Sequence, residues 1–343
     1  MKIRMGVIGA GKISQVLHIP NILFSKYAEL KCITDKDRRR VEEIKDRFGL
    51  KNVDYYDDYH ELLKREDLDA VVVSVPNFLH SEVTVDALNN GKHVLVEKPM
   101  ATKSSDAEKM IETMRRNHRI LMVNHSQRFF PHHQKAREML NSGLLGEIRL
   151  VKTMFGHSGP ENWSSSAGWF FKKDTANFGA LGDLGVHKID LIRYLTGLEI
   201  TECVAITDTL EKNADVEDVA SVILKLSNGA IATLDSNWIT KGLEENYFVV
   251  YGEYGTMKIG QTTPSKIDIF LSKPVEFHGE ITLAPLFTNK DSYWKMPVID
   301  HFAKVCLRYE KPIVEPEDGY IAIKIIEKIL ESSSNKKFVN ILD

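Results

Sequence analysis

The sequence predicts an α/β protein in which a doubly wound parallel sheet is followed by an α+β domain around a mostly antiparallel sheet. Over about the first 125 residues, short apolar strand segments alternate with helical segments, which is typical of a parallel sheet with right-handed crossovers. Farther along, alternating strands and hairpins predominate, with Asn228-Gly229 as the strongest hairpin signal. Because 343 residues exceed one ordinary domain, we place two domains at 1–125 and 126–343.

In the first domain, predicted strands and helices alternate along the chain. The predicted strands cover residues 3–8, 30–34, 55–56, 70–75, 94–96 and 120–123. The predicted helices run from the first turn through Phe24 and then over 36–48, 58–65, 80–89 and 104–117. Two of them end at Gly49 and Gly91, since glycine readily adopts the left-handed conformation that terminates a helix.

The second domain combines longer strands with a few helices. Its predicted helices cover residues 133–142, 183–195, 296–307 and 319–332. Its predicted strands begin with 147–156 and continue from 201 to about 283, including 219–226, 230–238, 247–252, 256–259 and 267–271. The strands alternate apolar and polar residues, the pattern of an antiparallel sheet with one buried face.

The composition excludes several classes of function. Hydrophobic residues make up 43% and charged residues 27%, and the net charge is −3, so we expect neither nucleic acid nor a membrane as a partner. There is no run of 18 apolar residues and no apolar secretion signal, and we expect a cytoplasmic protein. The three cysteines are too far apart for a disulfide framework or a C-x-x-C site: Cys32, Cys203 and Cys306.

A glycine-rich turn, Gly9-Ala10-Gly11-Lys12-Ile13-Ser14, directly follows the first strand and opens a helix. Gly9 would permit the tight turn, and Gly11 would let the backbone approach a pyrophosphate at the helix amino terminus. Ser14 replaces the third glycine of the usual dinucleotide fingerprint. A purely structural turn is the alternative, but this context favours dinucleotide binding.

An acidic residue, Asp35, closes the second strand at about the interval expected for ribose recognition. Its carboxylate would accept hydrogen bonds from the two adenosine ribose hydroxyls and repel a 2′-phosphate, which favours NAD. Lys36, Arg38 and Arg39 follow closely and would tolerate that phosphate, so NADP remains the alternative.

Two further strands end in polar residues at the same predicted sheet edge. The segment Ser74-Val75-Pro76-Asn77 leads to His80, and Val94–Val96 leads to Glu97-Lys98-Pro99. Ligands of open α/β sheets bind at the carboxyl ends of the strands, so Lys98 is a candidate catalytic residue. Simple turn chemistry around Asn77 and a solvated Lys98–Glu97 pair are the competing interpretations.

The segment 179–190 contains an acid and a histidine four residues apart, Asp183 and His187, with Asp190 one turn later. On a helix Asp183 and His187 share a face. A histidine can take a proton from a hydroxyl near neutral pH, and a carboxylate can orient it. An N-capping Asp183 with an i,i+4 ion pair is the alternative, and no third ligand pattern indicates a metal site.

Together these motifs resemble the Gfo/Idh/MocA family, the glucose–fructose oxidoreductase and inositol dehydrogenase group, over nearly the whole chain. The resemblance rests on Gly9-Ala10-Gly11, Pro76-Asn77 with His80, Glu97-Lys98-Pro99, Arg128-Phe129 before Pro131, and Asp183 with His187. It implies an amino-terminal Rossmann domain and a second domain whose large open sheet often mediates oligomerisation. It also implies an active site in the cleft between the two domains.

The resemblance implies an NAD- or NADP-dependent oxidoreductase acting on a secondary alcohol or ketone of a sugar, cyclitol or sugar derivative. His187 would be the general base, Asp183 would orient it or bind substrate, and Lys98 would stabilise the developing alkoxide. The expected cofactor-binding residues are Gly9, Gly11, Lys12, Ile13, Asp35, Ser74, Pro76, Asn77, His80, Glu97, Lys98 and Arg128. Four residues are expected near the substrate, or alternatively in loop or interface packing: Asn124, His157, Trp163 and Trp169.

Two further expectations concern the assembly and the backbone, and two alternative functions remain. We expect a homo-oligomer, either a dimer or a tetramer, and a cis peptide bond between Lys98 and Pro99. One alternative function is redox-neutral chemistry with tightly held NAD, such as glycoside cleavage by transient oxidation. The other alternative is a nucleotide-binding sensor without turnover, which the presence of both Lys98 and His187 disfavours.

Overall fold

The computed structural model describes residues 1–164, 167–260, 266–272 and 296–341. These residues form two compact units. The first comprises Met1–Ser126 and the described part of Asn289–Tyr320. The second comprises the described parts of Gln127–Thr288 and Ile321–Asp343.

The first unit contains a six-stranded parallel sheet in the order β3-β2-β1-β4-β5-β6. Its strands are β1 (Ile3–Ile8), β2 (Ala28–Thr34), β3 (Asp54–Tyr56), β4 (Ala70–Val73), β5 (His93–Val96) and β6 (Leu121–Val123). The central strand β4 is buried at every residue, as expected for a parallel sheet covered on both faces. The strand order reverses at β1 and β4, the switch point at which such sheets bind ligands.

Five helices connect these strands. They are α1 (Ile19–Phe24), α2 (Arg38–Phe48), α3 (Tyr59–Leu63), α4 (His80–Asn89) and α5 (Ser104–Asn117). A π-helical segment, Ser14–His18, leads into α1. Helix α2 begins where the Asp37 carboxylate accepts a hydrogen bond from the Arg39 amide, and it ends at Gly49 in the left-handed conformation.

The second unit contains an eight-stranded sheet in the order β13-β12-β11-β7-β10-β9-β8-β14. Its strands are β7 (Ile148–Gly156), β8 (Ile200–Asp208), β9 (Val219–Leu226), β10 (Ile231–Asn237), β11 (Glu245–Gly252), β12 (Gly255–Ile259), β13 (Ile267–Leu271) and β14 (Val339–Asn340). Neighbouring strands are antiparallel except β7 and β10, which run parallel. The predicted fold class is therefore confirmed in both parts.

The helices of the second half of the chain are α6 (Pro131–Asn141), α7 (Lys173–Ala176), α8 (Val186–Thr196), α9 (Val298–Cys306) and α10 (Pro316–Asn335). Helix α9 belongs to the first unit, where it packs against α1 and β2. Its Val298, Ile299 and Phe302 side chains are fully buried there. Among the described helices, none combines the length and the apolarity that crossing a bilayer requires.

The structure differs from the sequence-based expectations in a few elements. The predicted helix 183–195 is a π-helical segment, Leu181–Gly185, that continues into α8. The short helix α7 and the two-residue strand β14 were not predicted, because both are shorter than a recognisable period. The predicted strands beyond residue 272, up to about 283, lie outside the described residues.

Candidate functional site

The glycine turn after β1 leaves open space beside its backbone. Gly9 has a φ of +98°, and a Cβ at this position would lie 2.3 Å from the carbonyl oxygen of Ser74, so only glycine fits. A Cβ on Gly11 would meet no atom within 4 Å. The Ser14 hydroxyl donates a 2.6 Å hydrogen bond to the carbonyl of Gly9. The serine that replaces the third glycine therefore braces the turn.

Asp35, at the end of β2, is tied to the same turn. Its Oδ2 accepts a 2.8 Å hydrogen bond from the amide of Ala10, and its Oδ1 accepts one of 2.8 Å from the amide of Asp37. Each carboxylate oxygen keeps a further lone pair for a ribose hydroxyl. The side chain of Lys12 is exposed and that of Ile13 is half-buried. The open space at Gly11 and the anchored Asp35 fit a dinucleotide.

Strand ends β4 and β5 carry the next group of predicted residues. Ser74 is buried, and its hydroxyl has no hydrogen-bond partner among the described residues. The buried Asn77 begins a single 3-10 turn that follows Pro76 and leads into α4. An unpartnered buried hydroxyl next to the glycine turn is a group that a bound ligand can satisfy.

His80 is engaged on both sides of its ring. Nδ1 lies 2.8 Å from the carbonyl of Pro99, and Nε2 lies 2.9 Å from the carbonyl of Val75. Burial lowers the pKa of His80, although both carbonyls oppose that shift. Because both nitrogens contact backbone carbonyls, His80 holds two strand-end segments together, and its contact with the cofactor stays a prediction.

Glu97 is the centre of a buried polar cluster. Its Oε1 accepts hydrogen bonds of 2.7 Å from His18 Nε2 and from Asn124 Nδ2, and its Oε2 accepts one of 3.1 Å from the Lys98 amide. Burial opposes ionisation, but the hydrogen bonds from His18 and Asn124 bring the pKa of Glu97 below its usual value. This cluster holds the segment from which Lys98, half-buried, projects. The Lys98–Pro99 peptide bond is cis, as predicted.

Two further residues belong to this cluster. Asn124, predicted near the substrate or in packing, is 2% exposed and donates its hydrogen bond to Glu97, and its contact with substrate stays a prediction. His18 was not singled out, although it is fully buried beside Glu97. Its position in the sequence, one helical turn beyond the glycine-rich loop, could have indicated that His18 lies near this edge of the sheet.

Asp183 and His187, in the second unit, are both buried. The indole Nε1 of Trp238 donates a 3.1 Å hydrogen bond to Asp183 Oδ2, and His157 Nε2 lies 3.6 Å from the same oxygen. The Gly159 amide donates to His157 Nδ1 at 3.0 Å. In neutral His157 the ring hydrogen is therefore on Nε2, facing Asp183.

The backbone of this segment is a π-helix, in which the Val186 amide bonds back to the carbonyl of Leu181, five residues earlier. π-helical turns of this kind are frequent at functional sites. Glu217, which sequence analysis did not single out, accepts hydrogen bonds from the amides of Gly179 (2.8 Å) and Leu181 (3.0 Å). Burial, opposed by these bonds, raises the pKa of Glu217 to about 7.

The remaining predicted residues contact aromatic or charged side chains. Arg128 forms a buried bidentate ion pair with Asp190, with distances of 2.9 and 2.7 Å. Its guanidinium also lies 4.9 Å from the ring centre of Tyr194. Trp169 stacks on Phe170 at 3.8 Å, and this pair packs against Trp238. Trp163, 42% exposed, contacts Phe170 edge-on.

No metal centre emerges from the part of the chain that the structure describes. None of the described His, Cys, Asp and Glu side chains form a group of three or more that could hold a metal ion.

The glycine turn, the switch point of a parallel sheet and the anchored Asp35 define a dinucleotide-binding Rossmann protein. Comparison with protein families assigns it further. Residues 3–125 match the oxidoreductase family with an NAD-binding Rossmann fold, and residues 133–258 match the GFO/IDH/MocA C-terminal domain. The chain belongs to the Gfo/Idh/MocA family of oxidoreductases, as the sequence resemblance predicted.

Individual relatives cover nearly the whole chain. Myo-inositol 2-dehydrogenase of Thermotoga maritima is 26% identical over 98% of this chain and 98% of its own length. The scyllo-inositol 2-dehydrogenase (NAD(+)) of Bacillus subtilis is 24% identical over 94% and 92%. The structure of a levoglucosan dehydrogenase in complex with NADH and levoglucosan superposes with a TM-score of 0.88 at 22% identity, covering 100% of both chains. This last similarity shows the shared fold.

Proposed function

We propose that this chain is an NAD-dependent dehydrogenase acting on a secondary alcohol of a sugar, cyclitol or sugar derivative. Lys98, Asp183 and His187 are its proposed catalytic residues. The observation that carries the proposal is the environment of the buried Asp183. This residue lies on the helical segment that continues to His187, accepts a hydrogen bond from Trp238 and lies close to His157. The inositol dehydrogenase names of the relatives support the substrate class.

The first domain, proposed as residues 1–125, binds the cofactor. Gly11 leaves room for a pyrophosphate, and Asp35 accepts hydrogen bonds from the ribose hydroxyls. The Asp35 carboxylate would repel a 2′-phosphate, and Arg39 is engaged by Asp37 at 3.1 Å. NAD is therefore preferred over NADP. We propose Ser74, Pro76, Asn77 and Glu97 as further parts of this cofactor edge.

When bound, NAD⁺ supplies the acceptor for the hydride that leaves the carbinol carbon. The side chains of the protein accept the hydroxyl proton and stabilise the negative charge that develops on the substrate oxygen. His187 accepts the hydroxyl proton, and Asp183 orients the imidazole or accepts a hydrogen bond from a substrate hydroxyl. The ammonium group of Lys98 stabilises negative charge on the substrate oxygen.

The second domain, proposed as residues 126–343 apart from the described part of Asn289–Tyr320, which belongs to the first unit, binds the substrate. His157 contributes through Asp183, since its Nε2 lies 3.6 Å from the Oδ2 of that proposed catalytic residue. Trp163 and Trp169 offer an aromatic surface of the kind on which the apolar face of a sugar ring stacks.

We also propose a cytoplasmic homo-oligomer, either a dimer or a tetramer. Apolar side chains on one face of the eight-stranded sheet support it. Ile206, Ile223 and Ile231 are 77%, 50% and 44% exposed and share the uncovered side of three adjacent strands. Light scattering coupled to gel filtration measures the mass, and a monomer at micromolar concentration would contradict this part of the proposal.

The function is tested with a substrate panel. Purified protein is incubated with NAD⁺ or NADP⁺ and a series of inositols, aldoses and nucleotide sugars, while the absorbance of the reduced cofactor is followed. We expect reduction of NAD⁺ with at least one cyclitol or sugar. Cofactor retained through purification, with product formed but no net reduction, would favour redox-neutral chemistry. Cofactor binding without conversion of any substrate in the panel would favour the sensor.

A further inference from the structure

The first unit carries a second cleft, at the end of the sheet opposite to the glycine turn. Its walls include Ile3, Asp69 and His93, at the starts of strands β1, β4 and β5, together with Cys306 at the end of α9 and Arg308 just after it. Its volume is about 800 Å³, within the range of small-molecule sites. Cofactors of doubly wound sheets bind at the carboxyl edge, so this cleft at the amino edge is separate from the cofactor edge.

The cleft is strongly cationic, although the chain as a whole carries a net charge of −3. Five cationic side chains line it: Lys2, Arg4, Lys92, Arg119 and Arg308. The acidic residues of the lining are Glu66 and Asp69. Asp69 is already neutralised by a bidentate pair with Arg4, with distances of 2.9 and 2.7 Å. Most of the remaining positive charge has no compensating carboxylate in the cleft wall.

The cationic groups are held in place by the fold. The ammonium of Lys92 donates to the carbonyls of Arg65 and Leu68, which are neutral acceptors that leave its charge uncompensated. Gly91 leaves room for Arg119, whose guanidinium lies 3.4 Å from where a Cβ on Gly91 would be. Arg308 has a φ of 62°, which is uncommon for a residue other than glycine.

His93 supplies a neutral donor between these charges. Its Nδ1 accepts a 2.9 Å hydrogen bond from the amide of Ile120, so the ring hydrogen of neutral His93 is on Nε2. The pKa of His93 is lowered to about 4. Burial is the main cause, the positive charges of Arg119 and Arg308 act in the same direction, and the charge of Asp69 opposes them. The imidazole therefore senses the field of both guanidinium groups.

We propose that this cleft is a binding site for a small phosphate-bearing metabolite, held by Arg119 and Arg308 with Lys92 behind them. Guanidinium groups bind phosphate oxygens bidentately, and two of them lining the same cleft favour a multiply charged anion over a monoanion. The cavity volume accommodates an organic group in addition to the phosphate. The site is independent of the dehydrogenase chemistry proposed above.

The test uses inorganic pyrophosphate as the probe and isothermal titration calorimetry as the measurement. The protein is saturated with NAD⁺ beforehand so that the glycine turn is occupied. We expect one equivalent of pyrophosphate to bind, and we expect Arg119→Gln combined with Arg308→Gln to weaken binding at least tenfold. Both arginines are exposed, so the double variant should fold normally.

A matched control removes two exposed arginines elsewhere, by Arg115→Gln combined with Arg149→Gln. It should leave pyrophosphate binding within twofold of the parent. Equal weakening in the control, unchanged binding in the Arg119/Arg308 variant, or no binding to the NAD⁺-saturated parent would each overturn the proposal. A second measurement follows the His93 ring resonances by NMR, which should shift with pyrophosphate in the parent but not in the Arg119/Arg308 variant.

Discussion

The indole Nε1 of Trp238 donates a 3.1 Å hydrogen bond to the Oδ2 of Asp183. Both residues are buried, and Trp238 is completely so. A buried carboxylate without such donors is costly, since ionisation then lacks the compensation that water gives. Trp238 therefore supports an ionised Asp183 in the second unit, and it does so from a strand end 55 residues away in the chain.

Replacing Trp238 by Phe should lower kcat about tenfold while NAD⁺ affinity stays unchanged. The substitution removes the indole N–H but keeps an aromatic ring, and a hydrogen bond to a charged group is worth about 1.5–3 kcal/mol. Steady-state kinetics on the best substrate of the panel measures the effect. Phe171→Leu, which alters packing next to Trp238 without touching the hydrogen bond, is the control. Equal losses in both variants would attribute the effect to packing.

Removing the proposed catalytic groups should lower turnover much further. Lys98→Ala and His187→Ala should each reduce kcat by about 10²-fold or more, the lower scale of acid–base catalysis. The exposed residues Lys109 and His60 provide matched controls as alanine variants, and these should retain parental turnover. Near-normal turnover in a folded His187→Ala protein, verified by circular dichroism, would remove His187 from the mechanism.

The two glycines of the cofactor turn should respond differently to alanine. Gly11→Ala should weaken NAD⁺ binding at least tenfold without changing Tm, because its Cβ meets only open space in the protein. Gly9→Ala should destabilise the fold by at least about 2 kcal/mol, since the φ of +98° and the Ser74 carbonyl leave no room. Calorimetric titration and thermal unfolding separate the two effects. A Gly11→Ala protein with parental NAD⁺ affinity would argue against pyrophosphate binding at this turn.

Glu217 should make stability depend on pH in an unusual direction. Its folded-state pKa of about 7 lies above the ordinary value of 4.5, so between these values the folded chain binds more protons than the unfolded chain. The free energy of unfolding therefore falls as pH rises from about 4.5 to about 7, by roughly 3 kcal/mol. This contribution is fully present below pH 4.5.

Glu217→Gln should remove that part of the slope. Both amide hydrogen bonds reach the same oxygen of Glu217, and the amide oxygen of Gln can accept them. Urea unfolding between pH 5 and pH 8 measures the slope, and Glu108→Gln at an exposed position serves as the control. A variant with the slope of the parent would show that Glu217 is not the responsible group.

Local sequence patterns were sufficient to predict the parallel sheet and the glycine turn and to single out the acid–histidine pair, because each of these features is encoded by residues close together in the chain. The partners of those residues were not predictable in this way. Trp238 and Glu217 reach the segment around Asp183 from positions more than 30 residues away. The π-helical backbone was missed because its side-chain pattern is close to that of an α-helix over a single turn. Arg128 and Asp190 were both singled out from the sequence, but no local pattern indicated that these two side chains form an ion pair.

Helix α9 affects the order in which the first unit can be completed during synthesis. Residues 298–306 are translated after nearly the whole second unit, yet they pack on α1 and β2 of the first. Until they leave the ribosome, the surface that Val298, Ile299 and Phe302 later cover stays open to water. Part of the amino-terminal sheet therefore stays uncovered while about 170 further residues are synthesised. We expect a nascent chain of this design to expose apolar surface for longer than a chain with a contiguous amino-terminal unit would.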